Sequence, residues 1–251
     1  MLYYIIIVNV REENMEKRVL IIIPAYNEQE SILAVVNNLV KVCPKYDYIV
    51  VNDGSRDNTA KICREHHLNL LDLPINLGLS GAFAAGMKYA KAKGYDMALQ
   101  FDADGQHLPD YIEEMVDEMG NGHYDLVIGS RFVNEKKPKS ARMLGSNMIS
   151  FAIKLTTGKK ISDPTSGMRL WSKRLIEEFA NEINITPEPD TVSYLIKSKA
   201  QVQEVQVKME ERMAGESYLN LSRSIQYMSS TLISILLVQL FRKPIILGTE
   251  D

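Results

Sequence analysis

The sequence predicts an α/β fold with a mostly parallel central sheet flanked by helices. Three observations carry that reading. Short apolar runs of strand length recur between segments of helical periodicity. The clearest, Val19-Leu20-Ile21-Ile22-Ile23, is apolar without alternation, as a strand covered on both faces is. Several runs end abruptly in polar, carboxylate-bearing loops, where open α/β sheets place their ligands.

The elements follow in order. Residues 19–23 form the first strand, stopped by Pro24, and residues 28–42 carry helical spacing in Ile32, Val35, Val36, Leu39 and Val40. Residues 48–51 are a second strand, closed by Asn52-Asp53-Gly54-Ser55. A helix over 58–66 follows, which Ser55 or Asp57 can cap. Residues 68–73 read as a third strand. In the helix over 79–93, Gly81, Ala82, Ala84, Ala85 and Gly86 permit close approach to the sheet. A fourth strand at 96–101, a helix at 111–119 and a fifth strand at 125–128 complete the alternation. After Gly129 the pattern changes. Residues 132–142 are polar and basic, with Lys136, Lys137 and Lys139 around Pro138, and read as a mobile loop. Residues 143–156 form an apolar helix, 161–171 hold a second polar cluster, and 202–207 alternate like a strand. No internal repeat or low-complexity tract interrupts the chain.

Bulk properties narrow the class. The 251 residues are 45% hydrophobic and 24% charged, as in a soluble globular protein, and a net charge of −3 gives no reason to expect nucleic acid as a partner. Cys43 and Cys63 match no metal spacing and fit a reducing compartment, and His66, His67, His107 and His123 make no zinc constellation. Residues 1–10 are apolar but far short of the roughly 20 residues a membrane span needs, and no basic region precedes them. The first fourteen residues read as an extension ahead of a natural start at Met15, or as an added edge strand. Between residues 217 and 248 there is no acidic side chain. Residues 222–241 read as a helix with a polar stripe of Arg223, Gln226, Ser230 and Ser234, apolar nearly all round beyond Ser234. It is too short to span a bilayer. Two readings stand for it: an amphipathic helix in the membrane interface or on a membrane partner, and a helix packed on the protein's own core or a dimer interface. The chain divides into an N-terminal extension (1–15), one α/β domain (16–216) and a C-terminal helix and tail (217–251).

Three loops carry the chemistry. In Asp102-Ala103-Asp104-Gly105-Gln106-His107 two carboxylates spaced i, i+2 point the same way at a strand end, and such hard oxygen ligands suit Mg²⁺ or Mn²⁺ completed by water and substrate phosphates. The plainer alternative is a polar loop in which Asp104 or Asp110 caps the helix near Pro109. In Pro24-Ala25-Tyr26-Asn27-Glu28, Tyr26 offers a ring face and Glu28 suits a helix dipole, while Asn27 reads as a simple helix start. Asp53 can accept from a base N–H, or belong to an ordinary Asp-Gly turn. All three loops share one sheet edge if the strands are parallel.

These segments, with Val51-Asn52-Asp53-Gly54-Ser55-Arg56-Asp57, Asn76-Leu77-Gly78, Gly129-Ser130-Arg131-Phe132 and Asp163-Pro164-Thr165-Ser166-Gly167-Met168-Arg169, come in the order and spacing of a known family. Over roughly residues 19–215 the chain resembles the family 2 glycosyltransferases of GT-A fold. It is most similar to the polyprenol-phosphate sugar transferases related to dolichol-phosphate mannose synthase. The resemblance implies an inverting, metal-dependent enzyme moving a sugar from a UDP- or GDP-linked donor to a polyprenyl (undecaprenyl or dolichyl) phosphate at the cytoplasmic face of the membrane. The alternative acceptor is a glycan hydroxyl in cell-wall or capsular polysaccharide synthesis. It implies that Pro24, Tyr26 and Glu28 contact base and ribose, with Val51, Asp53, Asp102, Ala103 and Arg131 completing the nucleotide-sugar site. Asp102, Asp104 and Gln106 would hold Mg²⁺ or Mn²⁺, with Asp104 the main ligand. Arg131, Arg169 and Arg212 would hold phosphates, and Asp163 would stand at the acceptor side as base or positioning group. The expected partners are the nucleotide sugar, the lipid phosphate and the membrane surface, with a small membrane-protein subunit or a second copy of the chain as further candidates. One departure stands out: Arg212-Met213-Ala214-Gly215-Glu216-Ser217-Tyr218 carries Tyr218 where the lipid-phosphate subgroup has a lysine.

Overall fold

The structure is a computed structural model and describes residues 17–181, 186–213, 221–238 and 241–245. The N-terminal extension and Tyr218 lie outside the described residues.

Seven strands form one sheet in the order β3-β2-β1-β4-β6-β5-β7. β1 (Val19–Ala25), β2 (Asp47–Asp53), β3 (Leu70–Leu73) and β4 (Met97–Gln100) run parallel. β5 (Leu126–Ser130) and β7 (Val202–Gln206) run parallel to each other. β6 (Arg169–Ser172) lies antiparallel between β4 and β5. The expectation of an α/β fold with a mostly parallel sheet is met. β6 falls at the end of the cluster read from sequence only as polar.

The unbroken apolar run of β1 has its reason in the layers. Leu20 and Ile22 enter one core, and Val19, Ile21 and Ile23 enter the other, as alternation along a strand requires. The first core is covered by α3 (Gly78–Lys93), α5 (Ala141–Thr157), α6 (Lys173–Asn181) and α7 (Pro189–Lys197). In it Phe83, Trp171 and Phe179 interlock edge-on or tilted, with ring centroids 4.7–5.7 Å apart. The second core is covered by α1 (Ile32–Val42), α2 (Thr59–Glu65) and α4 (Ile112–Gly122). Gly86 of α3 sits on β1 so closely that an added Cβ would stand 2.4 Å from Ile22 Cγ2, which bears out the close approach read from the small residues.

Several boundaries differ from the sequence reading for physical reasons. α1 begins at Ile32 rather than at residue 28; the residues before it form turns in which Ser31 N and Ile32 N donate to Glu28 O at 3.2 and 2.9 Å, while the amides of Glu28 and Gln29 donate to Thr59 Oγ1 and Asp57 Oδ2 of the neighbouring loop. Asp57 serves the start of α2, its carboxylate accepting from Thr59 N at 2.9 Å, whereas Ser55 turns to accept from Asn27 N. Neither Asp104 nor Asp110 caps α4, which a 3-10 turn (Pro109–Tyr111) introduces without any side-chain cap. In the C-terminal segment α8 (Leu221–Ile233) continues into a π-helical stretch, Ser234–Val238, and Phe241 is helical as well. Part of it packs on the domain, with Thr231 and Ile235 buried, Tyr227 donating to Glu188 and Ser234 donating to Asp190 at 2.6 Å. Its other side leaves Ile225, Ile233, Leu237, Val238 and Phe241 exposed. No helix among the described residues is long and apolar enough to cross a membrane.

Candidate active site

The parallel strands β1, β2 and β4 end at one edge, and the loop leading into the antiparallel β6 arrives at the same edge. The convergence expected of the three loops is therefore present, joined by residues 129–132 at the end of β5 and 163–168 before β6.

The first two loops are zipped together. Asn27, in the left-handed conformation at φ 57°, accepts from Arg56 N at 2.8 Å and donates its own amide to Ser55 Oγ at 2.9 Å. Asn27 is thus a fastener between loops rather than a simple helix start. Tyr26 is left with an exposed ring. Asp53 is buried, and its Oδ1 accepts from Leu77 N at 2.7 Å while Asn76 donates to its carbonyl. One oxygen of the group expected to read a base is thus already holding the Asn76-Leu77-Gly78 turn. Val51 is wholly buried in β2, paired with Pro24 and Leu71, and its side chain forms floor beneath the rim, because its position inside the strand points it into the core. The Ala103 methyl is likewise buried under the loop.

The third loop brings charges together. Asp104 is 4% exposed; its Oδ1 accepts from Gln106 N at 3.0 Å and its Oδ2 lies 2.9 Å from Arg212 Nη2. Arg212 Nη1 lies 3.7 Å from Glu28 Oε1, so one guanidinium bridges the first and third loops. Burial raises the Glu28 carboxyl above its ordinary range; Ser31 and Arg212 oppose the rise, and Asp104 and Asp102 add to it. Asp102 is the more open of the two aspartates, its side chain 33% exposed. His107 underlies it. Its Nδ1 accepts from Asp102 N at 2.9 Å, which places the ring proton on Nε2, 3.5 Å from Asp102 Oδ2. His107 is buried edge-on against Phe101. It was quoted in the motif but given no role; its signal is its position one turn beyond Asp102. Gly167 passes so close that an added Cβ would meet Asp102 Oδ2 at 2.8 Å, tying the loop before β6 to the carboxylate pair.

The donor set fits a hard divalent cation in kind. Asp102 and Asp104 supply carboxylate oxygens at one strand end, and Gln106 follows on the same loop with its amide nitrogen 3.4 Å from Glu210 O. Among the described residues no three acidic, histidine or cysteine side chains already form a closed metal cage, so the remaining ligands of such an ion would come from water and substrate.

At the other end of the rim stands Asp163, fully buried. Arg131 grips it with two parallel bonds, Nε to Oδ2 at 2.7 Å and Nη2 to Oδ1 at 2.9 Å, and adds its backbone amide at 3.2 Å. The loop itself is held from below by Glu204 of β7, which accepts from Ser162 N and Asp163 N at 2.7 and 2.8 Å. Nothing in the alternating pattern of β7 marks Glu204 for that task. Arg169 is 1% exposed and donates from Nε and Nη2 to the carbonyls of Ser166 and Pro164 at 2.9 and 2.7 Å, which braces the loop from inside; its Nη1 is buried without a partner among the described residues. Lys137 approaches this end half-buried, donating to Ser146 at 2.9 Å and Ser150 at 3.4 Å. Burial lowers its affinity for the proton, and Asp163 offsets part of that. Lys136 and Lys139 are exposed.

Residues 20–179 match the family described as Glycosyl transferase family 2. The chain belongs to that family. This glycosyltransferase is 35% identical over 217 residues to the UDP-N-acetylglucosamine–dolichyl-phosphate N-acetylglucosaminyltransferase of Methanococcus voltae, a match covering 77% of this chain and 86% of the relative. It is 30% identical over 171 residues to the polyprenol monophosphomannose synthase of Mycolicibacterium smegmatis, covering 64% of each. Against the undecaprenyl-phosphate mannosyltransferase of Micrococcus luteus the identity is 34%, over 61% of this chain and 66% of the relative. Among solved structures, the glucosyl-3-phosphoglycerate synthase of Mycobacterium tuberculosis, crystallised with Mn²⁺, UDP and phosphoglyceric acid, superposes with a TM-score of 0.64 at 17% identity, over 88% of this chain and 79% of that one. The GT-A fold of the glycosyltransferase is thereby established.

The position of His107 carries a prediction. His107→Ala removes the group that fixes the Asp102 backbone and carboxylate. Mn²⁺ affinity, measured by calorimetry in the presence of UDP, should fall about 10- to 100-fold, the usual consequence of losing an outer-shell partner. An unchanged affinity would separate His107 from the metal loop.

Proposed function

We propose that this glycosyltransferase moves a sugar, with inversion, from a nucleoside-diphosphate donor to a polyprenyl phosphate at the cytoplasmic face of a membrane. The observation that carries the acceptor assignment is the bidentate Arg131–Asp163 pair. A hydroxyl acceptor needs a general base to take its proton. The carboxylate expected in that role is buried and bonded through both oxygens to a guanidinium, a poor condition for a base. A phosphate monoester is largely deprotonated at neutral pH, since its second pKa is about 6, and needs cations rather than a base. Arg131 and Lys137 stand together there. The relatives named as polyprenyl-phosphate sugar transferases support the same reading.

The roles divide along the rim. Tyr26, Pro24, Glu28 and Asp53 take base and ribose. Asp102 and Asp104, with Gln106 on the same loop, would hold Mg²⁺ or Mn²⁺, and a bound divalent ion stabilises charge on a departing diphosphate. An acceptor phosphate oxygen attacks the anomeric carbon from the side opposite the leaving group. The new C–O bond forms as the bond to the diphosphate breaks, and the electron pair leaves with the nucleoside diphosphate. Arg131, held flat by Asp163, orients the acceptor phosphate, and Arg212 meets the diphosphate. The decisive test is transfer of labelled sugar by the purified protein from a panel of nucleotide sugars to polyprenyl phosphate. Label extracted into organic solvent and abolished by EDTA is expected. Transfer only to a glycan hydroxyl would replace the proposed acceptor.

Membrane association is part of this reading. On α5, Leu144, Met148, Phe151 and Leu155 are exposed at i, i+4, i+7, i+11, one continuous helical stripe, and α5 packs beside α8 with its own exposed apolar residues. The absence of acidic residues from 217 to 248 suits an anionic bilayer. The double substitution Phe151→Ser and Leu155→Ser should abolish flotation with anionic phospholipid vesicles and leave UDP binding unchanged. Flotation that survives it would move the membrane contact elsewhere. Flotation of wild type only with a membrane protein present, or loss of a dimer in the variant, would assign the face to a small subunit or a second copy instead.

A further inference from the structure

Arg212 reaches Asp104 because its segment is sewn onto the metal-type loop through backbone bonds. His107 and Met209 form an antiparallel bridge, Glu210 N donates to Gln106 O at 2.9 Å, and Met213 N donates to Asp104 O at 2.9 Å. These contacts fix the backbone on both sides of residue 212 and leave its long side chain as the adjustable part. That side chain is 31% exposed and ends on Asp104 Oδ2, with Glu28 as its second anion. Glu28 and Asp104 thus share one guanidinium, with the Asp102 carboxyl on the same loop as Asp104. A cluster of like charges needs a cation, and the guanidinium supplies it.

We propose that Arg212 is an exchangeable countercharge: it occupies Asp104 when no divalent ion is bound, and is released to the donor diphosphate when one is. The inference rests on the metal reading of Asp102 and Asp104 and deepens it. Physically, a divalent ion must compete with Arg212 for the buried Asp104 carboxylate, so binding of the ion alone carries the cost of breaking that pair. The displaced guanidinium cannot go far, because residues 209–213 remain bonded to the loop. A diphosphate arriving with the ion gives it a new anion, so the cost is recovered only when ion and nucleotide bind together. The result is positive coupling between the two ligands, which by linkage is equal in both directions. It also disfavours a metal-loaded site without donor.

The experiment compares wild type with Arg212→Met, which keeps much of the side chain's length without its charge, by calorimetric titration of Mn²⁺ with and without UDP. The partial exposure of Arg212 makes misfolding a minor concern, and thermal melts of both proteins without ligand check it. Expected results are about tenfold tighter Mn²⁺ binding to the variant in the absence of UDP, and a loss of most of the factor by which UDP tightens Mn²⁺, typically 5- to 150-fold in coupled sites. Arg212→Lys should keep Mn²⁺ alone as weak as in wild type. Equal or weaker Mn²⁺ binding by Arg212→Met, with wild type binding the ion normally, would overturn the exchange and leave the metal reading intact. Absence of Mn²⁺ binding to either protein, with or without UDP, would overturn the metal reading and the exchange with it.

Discussion

Asparagine in place of Asp104 is expected to lower sugar transfer by roughly 10²–10³-fold at saturating donor and Mn²⁺, the scale of losing one main element of charge stabilisation in a transition state. The substitution keeps the shape of the side chain and the acceptor that Gln106 N uses, so the loop should hold its course. What it removes is the negative charge. Arg212 loses its strongest partner but stands partly in water, so the melting temperature should move little. Initial rates and a thermal melt on the same preparation check both halves. A variant transferring sugar within about threefold of wild type would remove Asp104 from the chemistry.

The second large effect is on stability. Asp163→Ala strips Arg131 of two side-chain bonds and one backbone bond at a fully buried carboxylate. Removing one partner of a buried pair commonly costs about 3–5 kcal/mol; the 23% exposure of the Arg131 side chain argues for the lower end. For a chain of this size that is a fall of roughly 6–12 °C in Tm. Adding Arg131→Met to Asp163→Ala should recover part of the loss, because the orphaned charge goes with it. A base at this position would add a signature of its own: Asp163→Asn would abolish the acidic limb of the pH–rate profile. Loss of rate and Tm together, with that limb retained, is the expected outcome for a residue that positions Arg131.

The parts of the molecule legible in sequence were those written locally. β1, β2 and β4 each combine an apolar run with a breaker or carboxylate at the end, and the parallel order that brings their loops together follows from the alternation with helices. β6 was not legible because four residues flanked by Gly167, Met168 and Lys173 have no period of their own; their strand identity comes from antiparallel partners in β4 and β5. Asp163 could be marked as a site residue but not as the partner of Arg131, 32 positions away, since only the folded sheet sets β5 beside β6. The burial of Arg169 was hidden for a related reason. Arginine is usually at the surface, and here two carbonyls in its own loop make a buried position tolerable. Val51 was assigned by its motif, while its place inside β2 turns it into the core. Glu204 and Asn27 escaped because each acts through backbone groups of a neighbouring loop, which one-dimensional spacing does not reveal, and His107 because its contact is with a backbone amide of its own loop.

Anomalous diffraction at the manganese edge, from crystals soaked with Mn²⁺ and UDP, tests the rim site most directly. The account predicts a single strong peak beside the Asp104 carboxylate, with the diphosphate on its far side and the Arg212 guanidinium turned from Asp104 to the phosphates. A peak elsewhere, or UDP bound with Asp104 still paired to Arg212, would contradict it.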